Sequence, residues 1–294
     1  MARGWIRGWL GALAIGAVMG ALPAAAQLPT APGTTAQSTA APNTAIGDQV
    51  RIVYGEPKNP EHRQIHDRLR KRRVLEDLQE FLSPLRLPQP FTIKIESCGV
   101  INAYYSSGAV TICYEYIAWI HQIARKVTLT NEISLEDAVV GPFVDVLLHE
   151  VAHAIFDLLK IPIFGREEDA ADQLAAFILL QFGNDAARRT ISGAALLFRQ
   201  MAVDQQPGSA DYAAVHGLPA QRFVNVLCIA FGAEPKLFLD FVKQGFLPAH
   251  RIGHCRWEYR QIAHAFKTLI SPHVDPVLQE KVRGRQWLRP DDGK

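Results

Sequence analysis

The alternation of apolar and polar residues changes period about halfway along the chain. QVRIVYG (49–55) alternates as a strand does, and Gly55 and Pro57 end it. From Pro60 to Leu82, Ile65, Leu69, Leu75, Leu78 and Leu82 recur near helical spacing, until Pro84, Pro88 and Pro90 break the run. FTIKIES (91–97) sets Phe91, Ile93 and Ile95 on one face and Thr92, Lys94 and Glu96 on the other, as in a half-buried strand. VINAYYS and AVTICYEY, joined by a turn at Ser107-Gly108, read as a hairpin.

After Ser134, an expected N-cap with Asp137 three residues on, the period is helical. Gly141-Pro142 predicts a break, with a new helix from near Pro142 to Leu159, stopped by Pro162. The next helix spans Gly165 to Phe182, with Glu167 and Glu168 in its first turn and Gly183 after its end. Further helices are expected over 185–206, 219–231, 235–243 and 255–270. A small early sheet followed by helices is an α+β domain, with sheet and central helix to about 183 and a helical part after.

The N-terminus does not belong to that domain. Arg3 and Arg7 precede an apolar run from Trp9 to Leu22, then Pro23-Ala24-Ala25-Ala26, the form of a signal peptide (1–26). A retained anchor is the alternative. Residues 27–48 are mostly Ala, Thr and Pro, too polar and small to bury a core, and read as a flexible linker. The domain is then 49–294, periplasmic or secreted, with no stable membrane insertion once the signal is cut.

Loss of Arg3 and Arg7 leaves 29 basic against 29 acidic residues. A neutral chain is a poor nucleic-acid binder, and the basic run at 68–74 reads as a solvated helix face. Four cysteines in an exported domain favour disulfides. The hairpin reading favours Cys98 with Cys113, which leaves Cys228 with Cys255.

The chemistry concentrates in His149-Glu150-Val151-Ala152-His153. On a helix, positions four apart share a face, so both imidazoles can address one ion. Glu150 lies about 100° round the helix, where a carboxylate can take a proton from an attacking water. Two surface histidines on an ordinary helix are the alternative. A catalytic zinc takes three protein ligands and keeps one position open. Glu168 is the expected third, with Asp172 four residues on to orient a ligand imidazole; Glu167 competes, but Ala171 occupies its own i+4 position. His216, beside Tyr212 and Arg222, is the candidate to stabilise a tetrahedral intermediate.

HExxH followed by Glu168-Asp169-Ala170-Ala171-Asp172 resembles the gluzincin peptidases, of which thermolysin is one, with a shorter gap between the two motifs. NAYY, TICYE, HEVAHAIFDLL, GREEDAADQ, HGLPAQRFVNVLC and CRWEY together resemble an uncharacterised bacterial metallopeptidase family over roughly 50–272. The resemblance implies a zincin-like fold, one Zn²⁺ ion, and hydrolysis of a peptide or protein substrate. Asn102-Ala103-Tyr104-Tyr105 is similar to the edge strand that pairs with substrate backbone in thermolysin-type enzymes, which implies substrate contacts at Asn102, Ala103 and Tyr105. A catalytically silent exported metal-binding or scaffolding protein is the competing function. A di-iron bundle would need a second ExxH, and none of the other glutamates has His three residues on. Oligomeric state is not legible.

Overall fold

The computed structural model describes residues 49–127, 133–283 and 285–288. The expected signal peptide and linker lie outside the described residues. Strands β1 (Val50–Tyr54), β2 (Phe91–Glu96), β3 (Ala103–Ser106) and β4 (Ala109–Cys113) form one sheet in the order β1-β2-β4-β3. β1 and β4 each run parallel to β2, and β3 is antiparallel to β4. Phe91, Ile93 and Ile95 are buried on one face, as their alternation requires. Ser107 and Gly108, with φ of 49° and 79°, make the tight turn between β3 and β4. β3 has a strand partner on one side only, so its other edge lies outside the ladder.

Two sequence expectations are corrected before the central helix. The helical run over 60–82 is not continuous: a short 3₁₀ turn and α1 (Arg63–Lys71) are separated from α2 (Val74–Leu82) by Arg73 at φ 54°. The break lets Leu75, Leu78 and Leu82 bury while Arg68, Arg70, Lys71 and Arg73 stay exposed. The second hairpin strand stops at Cys113, and α3 (Tyr114–Lys126) follows at once. Tyr114, Ile117, Ile120 and Ala124 recur at helical spacing and are buried, an arrangement that a continued strand would split between two faces.

α4 (Asp137–Leu159) is a single helix through Gly141-Pro142, contrary to the predicted break. The neighbouring α6 (Asn184–Asp204) explains this. A Cβ on Gly141 would lie 2.6 Å from the Thr190 carbonyl oxygen, and one on Gly193 would lie 2.1 Å from that of Asp137. The two backbones touch, and that contact holds the first turns of α4 although Pro142 forfeits a hydrogen bond. Ser134 does serve at the entrance: its hydroxyl accepts from the Asp137 N–H at 3.0 Å. α4 is long and apolar enough to cross a membrane, but 78% of its apolar window is buried in the fold, as befits a core helix.

α4 packs on the sheet, on α3, on α6 and on α5 (Glu167–Leu179). A 3₁₀ turn and Gly183 (φ 89°) lead from α5 into α6. Then come α7 (Ser209–Tyr212), α8 (Pro219–Ala233), α9 (Leu239–Lys243), α10 (Ile252–Ala265), which runs into a π-helical turn, and α11 (Pro276–Arg283), the last unforeseen in the sequence. Disulfides join Cys98 to Cys113, with Cα atoms 5.5 Å apart, and Cys228 on α8 to Cys255 on α10, at 4.8 Å. The domain is α+β, mostly helical, with a small mixed sheet.

Candidate metal centre

Asp145, His149, His153 and Asp157 follow one another at intervals of four along α4 and form one stripe. His149 and Glu150 are buried. Gly165 (φ 98°) turns the chain into α5, whose first turn carries Glu167 and Glu168. Ala152, Ala171 and Ala175 are fully buried, and their small side chains suit the close packing of α4 on α5.

Four side chains converge there. His149 Nε2 lies 3.0 Å from Glu168 Oε2 and 3.2 Å from His153 Nε2, and His153 Nε2 lies 3.3 Å from the same Glu168 oxygen. Ligand atoms about 2.1 Å from a tetrahedral zinc are about 3.3 Å from one another, so these three form one near-regular face of such a site. His216, on the segment between α7 and α8, places Nε2 2.8 Å from Glu168 Oε2 and stacks its ring on His149 at 5.7 Å. Ligand atoms of His149, Glu168 and His216 all lie within 4.8 Å of one another, so His216 is a further donor within reach. Tyr212, from the same stretch, is exposed and does not line the cleft.

The far nitrogens of the imidazoles are also engaged. Asp172 Oδ1 is 2.8 Å from His149 Nδ1, and Glu167 Oε1 is 2.8 Å from His153 Nδ1. A carboxylate can only accept, so each fixes a proton on Nδ1 and leaves Nε2 as the donor atom toward an ion. Glu167 thus serves the other imidazole, a role the sequence reading did not give it. Nor did the sequence reveal that Arg222 on α8 grips Asp172 with two hydrogen bonds, of 2.7 and 2.6 Å, and stacks on Phe198 at 4.3 Å. Asp172 therefore bridges His149 and Arg222.

The electrostatics fit a cation. Hydrogen bonds from His149, His153 and His216 hold the Glu168 carboxyl far below the usual range. Burial alone would lower the His149 pKa, but Asp172 and Glu168 outweigh it and lift it to about 9. Burial opposes ionisation of Asp172, yet His149 and Arg222 hold it at about 2. Imidazole nitrogens and one carboxylate oxygen are a donor set suited to zinc, and a divalent ion would displace the imidazole protons that now face Glu168.

Glu150 stands beside this face. Burial raises its pKa, more than the His149 and His153 charges lower it, and its carboxylate accepts a hydrogen bond from the Tyr105 backbone. A carboxylate raised toward neutrality is better matched to proton abstraction. A cleft of about 870 Å³ opens over the site, lined by His149, Glu150, His153, Glu168 and His216. Asn102, Ala103 and Tyr105, from β3 and the residue before it, line the same cleft.

Residues 54–270 match a family described as "Putative metallopeptidase". No curated protein and no solved structure matches the chain.

Proposed function

Since the chain belongs to this metallopeptidase family, we propose that it is an exported zinc-dependent peptidase of the zincin-like, gluzincin type, with Glu150 as general base. The carrying observation is the triangle of His149 Nε2, His153 Nε2 and Glu168 Oε2, with edges of 3.0 to 3.3 Å, beside a buried glutamate. These three residues would hold the ion, with Asp172 and Glu167 orienting the imidazoles. When bound, zinc would polarise the scissile carbonyl and acidify the attacking water.

The chain's own groups do the rest. Glu150 takes the proton from the water on its carboxylate and passes it to the leaving amine. His216, its side chain 47% exposed and its Nε2 at the edge of the triangle, donates a hydrogen bond to the developing oxyanion. The outer edge of β3 pairs with an extended peptide at Ala103, with Asn102 before it and Tyr105 after, where the peptide shares the Tyr105 backbone with the Glu150 carboxylate. Two disulfides agree with an oxidising compartment, periplasmic or extracellular.

The direct test compares Glu150→Gln with wild type, both zinc-loaded, on an unstructured protein substrate. Zinc occupancy should be equal, and hydrolysis should fall by about 10²–10⁴-fold, the usual worth of acid–base assistance. Equal rates would defeat the mechanism. Zinc binding in both without cleavage by either would favour a scaffolding protein instead.

A further inference from the structure

Asp145, one turn before His149 on the α4 stripe, has no part in the scheme above. It is 7% exposed, lines the cleft, and has no hydrogen-bond or ion-pair partner among the described residues. The same cleft has an apolar share of wall, from Tyr116 and Trp119 of α3, Val146 of α4, and Leu197, Phe198 and Met201 of α6, and Phe198 also shares a second, small cavity with Asp145. The two cations whose charge reaches Asp145 are bonded elsewhere: Arg222 to Asp172 through two hydrogen bonds, and His149 to Asp172 and Glu168. Arg166, the cleft's other guanidinium, is bound to Asp169 at 3.0 Å. Both cations are thus hydrogen-bonded to Asp172, and Asp145 is left as a buried carboxyl in the cleft with no directly bonded counter-charge among the described residues.

We propose, resting on the peptidase reading, that this pocket is a subsite for a lysine or arginine side chain flanking the scissile bond, with Asp145 as its counter-charge. The aliphatic stem of such a side chain matches the apolar wall while its charged end reaches the floor. An aliphatic residue would fill the wall equally well but leave Asp145 buried without a partner, which selects against it. Burial, and then the charge of Asp172, lift the Asp145 carboxyl to about 7, a penalty that a bound ammonium or guanidinium would relieve.

The test is a peptide-library cleavage profile of the zinc-loaded mature chain beside Asp145→Asn, a near-isosteric change. Wild type should favour Lys or Arg at one position flanking the cut, and the ratio of basic to norleucine cleavage should fall about 30-fold or more in the variant. Cleavage without a basic preference, or a preference that survives in Asp145→Asn, overturns the inference. Binding of n-butylguanidinium to zinc-loaded Glu150→Gln, followed by calorimetry with and without Asp145→Asn, reads the pocket apart from catalysis. If the probe binds in an Asp145-dependent manner and no peptide is cut, the peptidase reading fails and the pocket stands. If the probe does not bind, or binds equally without Asp145, the pocket fails.

Discussion

The hydroxyl of Tyr105 on β3 donates a 2.7 Å hydrogen bond to Asp157 on α4, one turn beyond His153. Burial, and then the bond to Asp157, raise the Tyr105 pKa to about 12. The edge strand is thus pinned to the helix that carries His149 and His153. Tyr105→Phe should therefore cost less than about 1 kcal/mol of stability, because the pair is solvent-exposed, yet raise KM for peptides several-fold. Urea denaturation and steady-state kinetics check the two halves, and an unchanged KM would show that the strand needs no such pin.

On the proposed ligand set, metal affinity should rank Glu168, Asp172 and Glu167 of α5. Glu168→Ala removes a ligand oxygen and should lower zinc affinity most. Asp172→Ala should lower it about 10–100-fold through the freed His149 ring, and Glu167→Ala by less, since the Glu167 side chain is 54% exposed. Chelator competition measures all three, and equal retention in Glu168→Ala and Glu167→Ala would contradict the ligand assignment.

Asp145 should make stability pH-dependent. Its pKa is raised from 3.8 to about 7, so its stabilising share is complete below pH 3.8 and is lost as pH rises through 7. Asp145→Asn removes that loss. The variant should match wild type below about pH 4, pull ahead as pH rises from 4 to 7, and exceed it above pH 7 by at most about 4 kcal/mol. Urea titrations at pH 5 and pH 8 decide it; a gap that does not widen between them would mean that Asp145 ionises without strain.

Gly193→Ala should be among the most damaging changes distant from the cleft. Its Cβ would lie 2.1 Å from a backbone oxygen of α4, which cannot swing aside as a side chain would. A loss of about 3 kcal/mol or more is expected, beyond ordinary overpacking, and thermal denaturation would register it. A variant within 1 °C of wild type would mean that α6 can slide along α4.

What the sequence disclosed was what lies close along the chain. HExxH and the Glu168–Asp172 interval are each within one or two helical turns, so spacing alone put their side chains on shared faces. Pairings that depend on the path of the backbone were not visible: Tyr105 with Asp157, and Arg222 with Asp172, are separated by 52 and 50 residues. The contact of Glu167 with His153 was hidden for a different reason. The partner of Glu167, His153 Nδ1, lies on α4, and the spacing within α5 carries no information about a companion on another helix. The helix α3 was hidden because Tyr-Glu-Tyr continues the alternation of β4, and only burial of Tyr114 with Ile117 reveals the change of period. Pro142 misled because a proline break is a local rule, and here a glycine–glycine contact between helices overrules it.

The stripe of Asp145, His149, His153 and Asp157 makes α4 a ruler. Three intervals of four residues set the proposed substrate counter-charge, the two proposed ligands and the strand anchor along one line. Substitutions on the opposite face can drift among apolar residues of similar size. A single inserted or deleted residue between Asp145 and Asp157 would instead turn everything beyond it by about 100° and separate the members. The length of this segment should hence be fixed while its apolar spelling varies, and functional insertions should be confined to the turns outside it.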